Sequence, residues 1–413
     1  MPKSLTVMVE PKVLRGLRER SGWNMEEASK KLDTTINIMR DLESGQRYPT
    51  MKQLRDLSLA YKHPLASFFL SELKAQKPLP NDYRTLPNKK DMFDKTTIWA
   101  IRRSQRLQDI GLNLSQNIKS DIKPKVDHAS LDDNPSDISA LYRKSFDLSF
   151  EKQKKFKTTY KLFSYMRSKL EDMNLLVFQF SMPVEDARGF TLADESPYVI
   201  VISSKDTIEA RLFTLMHEFG HILLGETAIG TPGTLRLAGN VEKWCDLFAS
   251  SFLLPDNTAK ELFRDNHSQL AETKTLSMLS RKCKVSRAVL IRKMLDLDYI
   301  SKPQFKSILD RYATISQDVS KTKANYAVPP DKKCISQVGN RFVSLVASNL
   351  DKSLITYTDC AISKVSMCHV NKDIAGFCEL VYSLGWGIVH CTRMIRILIY
   401  TGIESHYHAS SIH

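Results

Sequence analysis

Apolar residues in the first seventy positions recur at helical spacing. Leu14, Leu17, Ala28, Leu32, Ile36, Met39, Leu42, Leu54, Leu57, Leu59 and Phe68 form the series. Polar breaks interrupt it at Ser21-Gly22, Asp33-Thr34 and Ser44-Gly45, which predicts five short helices over 12–68. Residues 76–95 are polar and rich in proline, as a linker is. Residues 97–120 and 150–172 are predicted helices with basic outer faces, and Lys152, Lys154, Lys155 and Lys157 read as a solvated surface. Near residue 174 the pattern changes. LLVFQF (175–180) and YVIVIS (198–203) are apolar at consecutive positions and flanked by turn residues, so both are predicted strands. From 208 to about 312 the helical period returns. The expected fold is mainly α and multi-domain: an N-terminal five-helix block, an α+β core with a small sheet, and a C-terminal helical region.

Composition narrows the class. The 413 residues are 42% hydrophobic and 26% charged, which excludes a mainly disordered or collagen-like chain. No run of eighteen apolar residues is present, so no membrane span is expected. The N-terminal residues lack an apolar h-region, and the seven cysteines contain no C-x-x-C pair. A cytoplasmic protein is the expectation. The net charge of +14 is uneven, because residues 171–260 carry 6 basic against 13 acidic side chains. A basic body favours nucleic acid and an acidic segment does not, which suggests two tasks in one chain.

Within the first block, residues 25–32 and 34–43 read as a helix-turn-helix with its turn at Asp33. Thr34, Thr35 and Asn37, at the start of the second helix, and Arg40 further along suit base edges and phosphates. Asp33 or Thr34 is the expected cap, and Arg47 and Lys52 are candidate phosphate contacts. The segments LRERSGWNMEEASKKL and MRDLESGQRYPTMKQL resemble the Xre/Cro repressor family of helix-turn-helix domains. That resemblance implies DNA as a partner and, since such domains often bind as dimers, a homodimer.

A second constellation lies in IEARLFTLMHEFGHILLG (208–225). His217 and His221 are four residues apart, hence on one face of a helix, where both imidazoles can bind one zinc ion. Glu218 is rotated about 100° from His217 and can reach a zinc-bound water as general base. Gly225 is the expected helix stop. A metzincin third ligand is excluded, because Leu224 and Thr227 stand where that class needs Gly and His. The helix VEKWCDLFASSFLLP (241–255) offers Glu242 instead, with Asp246 one turn on. Two acids in so apolar a helix need partners. Zinc provides one for Glu242, while Asp246 can accept the free ring N–H of a ligand histidine.

From Arg188-Gly189-Phe190 through YVIVIS, the HEFGH helix and VEKWCDLFASSFLLP, the chain resembles the ImmA/IrrE zinc metallopeptidases, including members fused to an N-terminal Xre domain. The segment NDYRTLP (81–87) and the domain order resemble those members too. The resemblance implies a zincin-like core, zinc held by His217, His221 and Glu242, and catalysis by Glu218. It also implies a protein substrate, an Xre-type repressor cut to derepress transcription under stress. The chain has Cys245-Asp246 where the family usually has Ala-Asn.

The expected domains are 1–75 (helix-turn-helix), 76–96 (linker), 97–260 (peptidase with its N-terminal helices), 261–330 (helical, with a second helix-turn-helix pattern at 275–300), 331–376 (C-terminal helices) and 377–413 (an atypical tail without lysine). The second helix-turn-helix pattern is expected to serve packing rather than DNA binding. Tyr198 and His267 are candidate oxyanion donors, and Arg211 is read as structural. The alternatives are a regulator or antitoxin-like protein whose zincin domain only senses, and a hydrolase of short peptides.

Overall fold

The computed structural model describes residues 6–73, 77, 81–82, 93–225, 228–229, 239–266, 269–270, 272–319 and 330–356. Most of the expected linker, His267 and the tail 377–413 lie outside the described residues. Among those described, the chain is mainly helical with a small three-stranded sheet, as the pattern predicts.

The N-terminal block contains α1 (Pro11–Arg20), α2 (Met25–Lys31), α3 (Ile36–Ser44), α4 (Met51–Tyr61) and a 3-10 turn (Leu65–Phe69). Side-chain caps set where these helices begin. Asn24 and Glu27 form a capping box on α2, Thr50 and Gln53 one on α4, and the Thr35 hydroxyl accepts the Ile38 N–H on α3. The cap of α3 is therefore Thr35, not Asp33 or Thr34. The Thr34 N–H is spent on the Ser29 carbonyl and Asp33 sits at φ 50°, so the turn closes before the helix can open. Leu14, Leu17, Ala28, Met39, Leu42, Leu54, Leu57 and Phe68 make one core, whereas Leu59 faces outward. A buried ion pair, Arg18 to Glu43 at 2.7 Å, ties α1 to α3.

A two-residue strand, β1 (Asn81–Asp82), precedes α5 (Lys95–Asn117). Then come α6 (Pro135–Ser145), α7 (Phe150–Lys155) and α8 (Thr159–Asp172). The single helix predicted over 150–172 is thus two. Thr158 caps α8, and Phe156 leaves the helix to pack against Tyr165, ring centroids 5.3 Å apart. β2 (Leu176–Phe180), β3 (Gly189–Leu192) and β4 (Val199–Ser203) form the sheet in the order β2-β4-β3. β2 runs parallel to β4 with Phe178 beside Val201, and β3 runs antiparallel with Phe190 beside Val201.

All residues of these strands are buried because both sheet faces are covered. Val177, Ile200 and Ile202 face α8 and α9 (Ile208–Leu223). Leu176, Phe178, Val199 and Val201 face α5 and α15 (Pro330–Asp351). Each such side chain contributes about 1.5–3 kcal/mol on burial. Helix α15 kinks at Gly339, where φ is 81°. The Glu171 carboxylate accepts the N–H groups of Asn340 and Arg341 at 3.2 and 3.3 Å and pairs with Arg167 at 3.0 Å. The described part of the expected C-terminal segment is therefore a layer of the core.

After α9 come β5 (Ala228–Ile229), parallel to β1, and α10 (Asn240–Leu253), which packs on α9 and α6. α11 (Asp256–Asp265), α12 (Thr273–Cys283), α13 (Arg287–Asp296) and α14 (Lys302–Val319) follow. The second helix-turn-helix pattern falls on α12 and α13. Val289, Leu290, Ile291, Lys293 and Met294 of α13 are buried, so this helix packs inward. No described helix is long and apolar enough to cross a membrane.

Candidate metal centre

Helix α9 is held from both sides. Thr207 caps its start, and Phe219 packs edge-on against Tyr142 at 4.9 Å and against Phe146 and Phe248. The helix closes at Leu223, with Gly225 at φ 72° just beyond. Arg211 donates to the backbone carbonyls of Asp206 and Ser204, which anchors the helix start to the end of β4.

Gly220 lets α10 come close. A Cβ there would lie 3.1 Å from Cys245 Sγ and 3.3 Å from its Cα. This approach carries Glu242, in the first turn of α10, over the histidine face of α9. His217 Nε2 is 3.2 Å from Glu242 Oε2, and His221 Nε2 is 3.2 Å from Glu242 Oε1. The two Nε2 atoms are 3.3 Å apart. Donor atoms held at 2.0–2.1 Å on a tetrahedral zinc ion lie about 3.3 Å from one another, so these spacings suit that ion. Three nitrogen and oxygen donors, with no fourth protein ligand among the described residues, are the pattern of an open site.

The surroundings favour a cation. Both imidazoles are fully buried and Glu242 is mostly so. Burial works against a protonated His217, but Asp246 and Glu242 outweigh it and raise the ring well above its ordinary value. Burial would raise Glu242, yet the two rings hold its carboxyl well below the usual range. The same acidic neighbours would favour a divalent cation between the rings. Asp246 Oδ1 lies 3.0 Å from His217 Nδ1, a charge contact short of hydrogen-bond geometry, while Nε2 faces Glu242.

Glu218 faces β3. Its Oε2 accepts from the Thr191 hydroxyl at 2.8 Å, and the same hydroxyl reaches the Glu218 carbonyl at 3.1 Å. Its Oε1 is buried without a hydrogen bond among the described residues. Gly189 leaves room for this carboxylate, since a Cβ there would lie 2.8 Å from Oε1. Burial raises the Glu218 carboxyl, against the opposing pull of His221, His217 and Thr191.

Strand β3 and Thr191 were not among the predicted elements and site residues. Four residues with a glycine carry no periodicity, and only the Arg188-Gly189-Phe190 similarity pointed there. Tyr198 packs against the core that contains α9 and makes no hydrogen bond to His217, Glu218 or His221 among the described residues. In the N-terminal block, Thr35, Asn37, Arg40, Arg47 and Lys52 are exposed and Thr34 is half-buried. Arg40 also donates to Asn37 at 3.1 Å.

This sheet, the HEFGH helix and the carboxylate on the next helix bring together a candidate metal site. Residues 170–295 match the model of peptidase family M78, described as the IrrE N-terminal-like domain. The match spans the end of α8, the three-stranded sheet, the helices α9 to α12 and nearly all of α13. No curated protein and no solved structure matches the chain.

Proposed function

We propose that the protein is a zinc-dependent endopeptidase with its own DNA-binding domain, and that it cleaves an Xre-type repressor to derepress transcription. The observation that carries this reading is the convergence of His217, His221 and Glu242 beside an acid held by a strand. Those three residues would hold the ion. When bound, zinc supplies Lewis acidity toward the scissile carbonyl and acidifies a water.

The chain's own groups do the rest. Asp246 fixes the His217 tautomer. Thr191 holds Oε2 of Glu218, leaving Oε1 to take the proton from the attacking water and deliver it to the leaving amine. The raised carboxyl pKa suits that exchange, because a base works best with a pKa near the working pH. The excess of acidic residues across 171–260 is compatible with a basic polypeptide substrate. DNA contact through α3 is supported by the exposure of Thr35, Asn37 and Arg40, with Arg47 and Lys52 beyond the helix.

The test is cleavage of Xre-type repressors from the same genome by the full chain. Wild type with zinc should cut one of them, and a chelator should stop it. Glu218→Gln should lose about 10²–10⁴-fold in rate. Undiminished cutting by Glu218→Gln would remove Glu218 from the chemistry and with it this reading.

A further inference from the structure

Arg292 stands on α13, which contributes none of the candidate metal donors. Its Nε donates to Asp296 Oδ1 at 2.8 Å, one turn along the same helix. Its Nη1 lies 3.8 Å from Asp246 Oδ2, while the other oxygen of that carboxylate is 3.0 Å from His217 Nδ1. Arg292, Asp246 and Asp296 are 16%, 21% and 15% exposed, so solvent screens these contacts little. The neighbouring Lys293 points elsewhere, to Ser251 at 2.9 Å and Asp256 at 2.5 Å. Arg292 is therefore the cation that α13 turns toward Asp246.

A carboxylate that orients a ligand histidine works only if its own rotation is stopped. One oxygen of Asp246 lies against the ring and the other toward the guanidinium, both as charge contacts rather than hydrogen bonds, so electrostatic attraction on two sides favours this orientation of the group. We propose that Arg292 is a positioning residue. It fixes Asp246, which fixes the His217 ring, and so tightens the grip of His217, His221 and Glu242 on a divalent ion. The proposal rests on the metal-site reading above. It gives α13 a task at the centre besides packing, and it places the sequence signal in the second helix-turn-helix pattern rather than in HEFGH. The rival account is that Arg292 only bridges one turn of α13 through Asp296.

A double-mutant cycle on the full-length chain separates the two. The zinc dissociation constant is measured by competition with a chelating indicator for wild type, Arg292→Ala, Asp246→Asn and the double variant. Arg292→Ala should weaken zinc binding by about tenfold, the lower end of what loss of an outer partner costs. The double variant should bind no more weakly than Asp246→Asn alone, and Arg292→Lys should recover part of the loss. Thermal unfolding of the metal-free proteins gives the fold contribution separately. Should Arg292→Ala not fold, Arg292→Gln keeps the aliphatic stem and is read in its place. Full affinity in the Arg292 variant, or the same fold-loss whether residue 246 is Asp or Asn, overturns the proposal and leaves the metal site standing. A wild type that takes up no zinc overturns both.

Discussion

Two helix pairs in this chain share a local pattern and differ in what they show to water. In α2 and α3 the second helix buries Met39 and Leu42 and exposes Thr35, Asn37 and Arg40. In α12 and α13 the second helix buries Val289, Leu290, Ile291 and Met294. Its basic residues are spent within the fold as well, Lys293 on Asp256 and Arg292 on Asp296 and Asp246. The first pair keeps a polar face that can meet a phosphate backbone, and the second has used its own to close a core. A helix-turn-helix spacing thus specifies a shape, and burial decides which surface that shape presents.

The comparison can be broken most sharply at Lys293. Its side chain is 2% exposed, so Lys293→Met strips the buried partner from Asp256. Because Asp256 keeps some contact with water, the expected loss is about 3 kcal/mol, the low end for breaking a buried pair, read by urea unfolding. If the proposed site binds zinc, removing the ion is the next largest effect. With free zinc at about a hundred times its dissociation constant, chelation should lower stability by roughly 2.7 kcal/mol. Operator binding through α3, followed by fluorescence anisotropy, should not change.

Arg40→Ala reverses the pattern of the Lys293 variant. Operator affinity should fall by about 1–2 kcal/mol, with a shallower salt dependence, while urea stability moves by less than about 0.5 kcal/mol. An Arg40 variant that unfolds as readily as the Lys293 one would erase the contrast. The smallest effect is at Thr35, whose hydroxyl caps α3. Thr35→Ala should cost about 1 kcal/mol in the thermal unfolding of the N-terminal block and leave zinc affinity unchanged.

What was legible in the sequence was local. The helical period over 12–68, the two apolar strands and the HEFGH face depend on residues a few positions apart, and the fold class follows from them. The break at Phe156–Thr158 was not legible, because one turn of non-helical backbone inside a lysine-rich stretch leaves the apolar spacing almost intact. Strand β3 was hidden by its shortness. It is held by pairing with β4 and by Thr191 reaching Glu218, neither of which its own four residues announce. Glu242 and Asp246 could be singled out because acids in an apolar helix demand partners. Arg292 could not, since an arginine near the end of a helix is ordinary until its neighbour is seen. The placement of α15 depends on Glu171, more than 160 positions earlier in the chain.

That last contact carries the folded unit beyond the matched segment. The family match stops at residue 295, but the underside of its sheet is roofed by α5 and by the helix after Gly339. A fragment trimmed to the matched segment would present Phe178, Val199 and Val201 to solvent and leave Glu171 without Arg167 and without the Asn340 and Arg341 N–H groups it accepts. It would be expected to aggregate even with His217, His221 and Glu242 intact. A piece expected to stand alone runs from about Lys95 to the close of α15, so the two ends of this layered core are sewn together across its back.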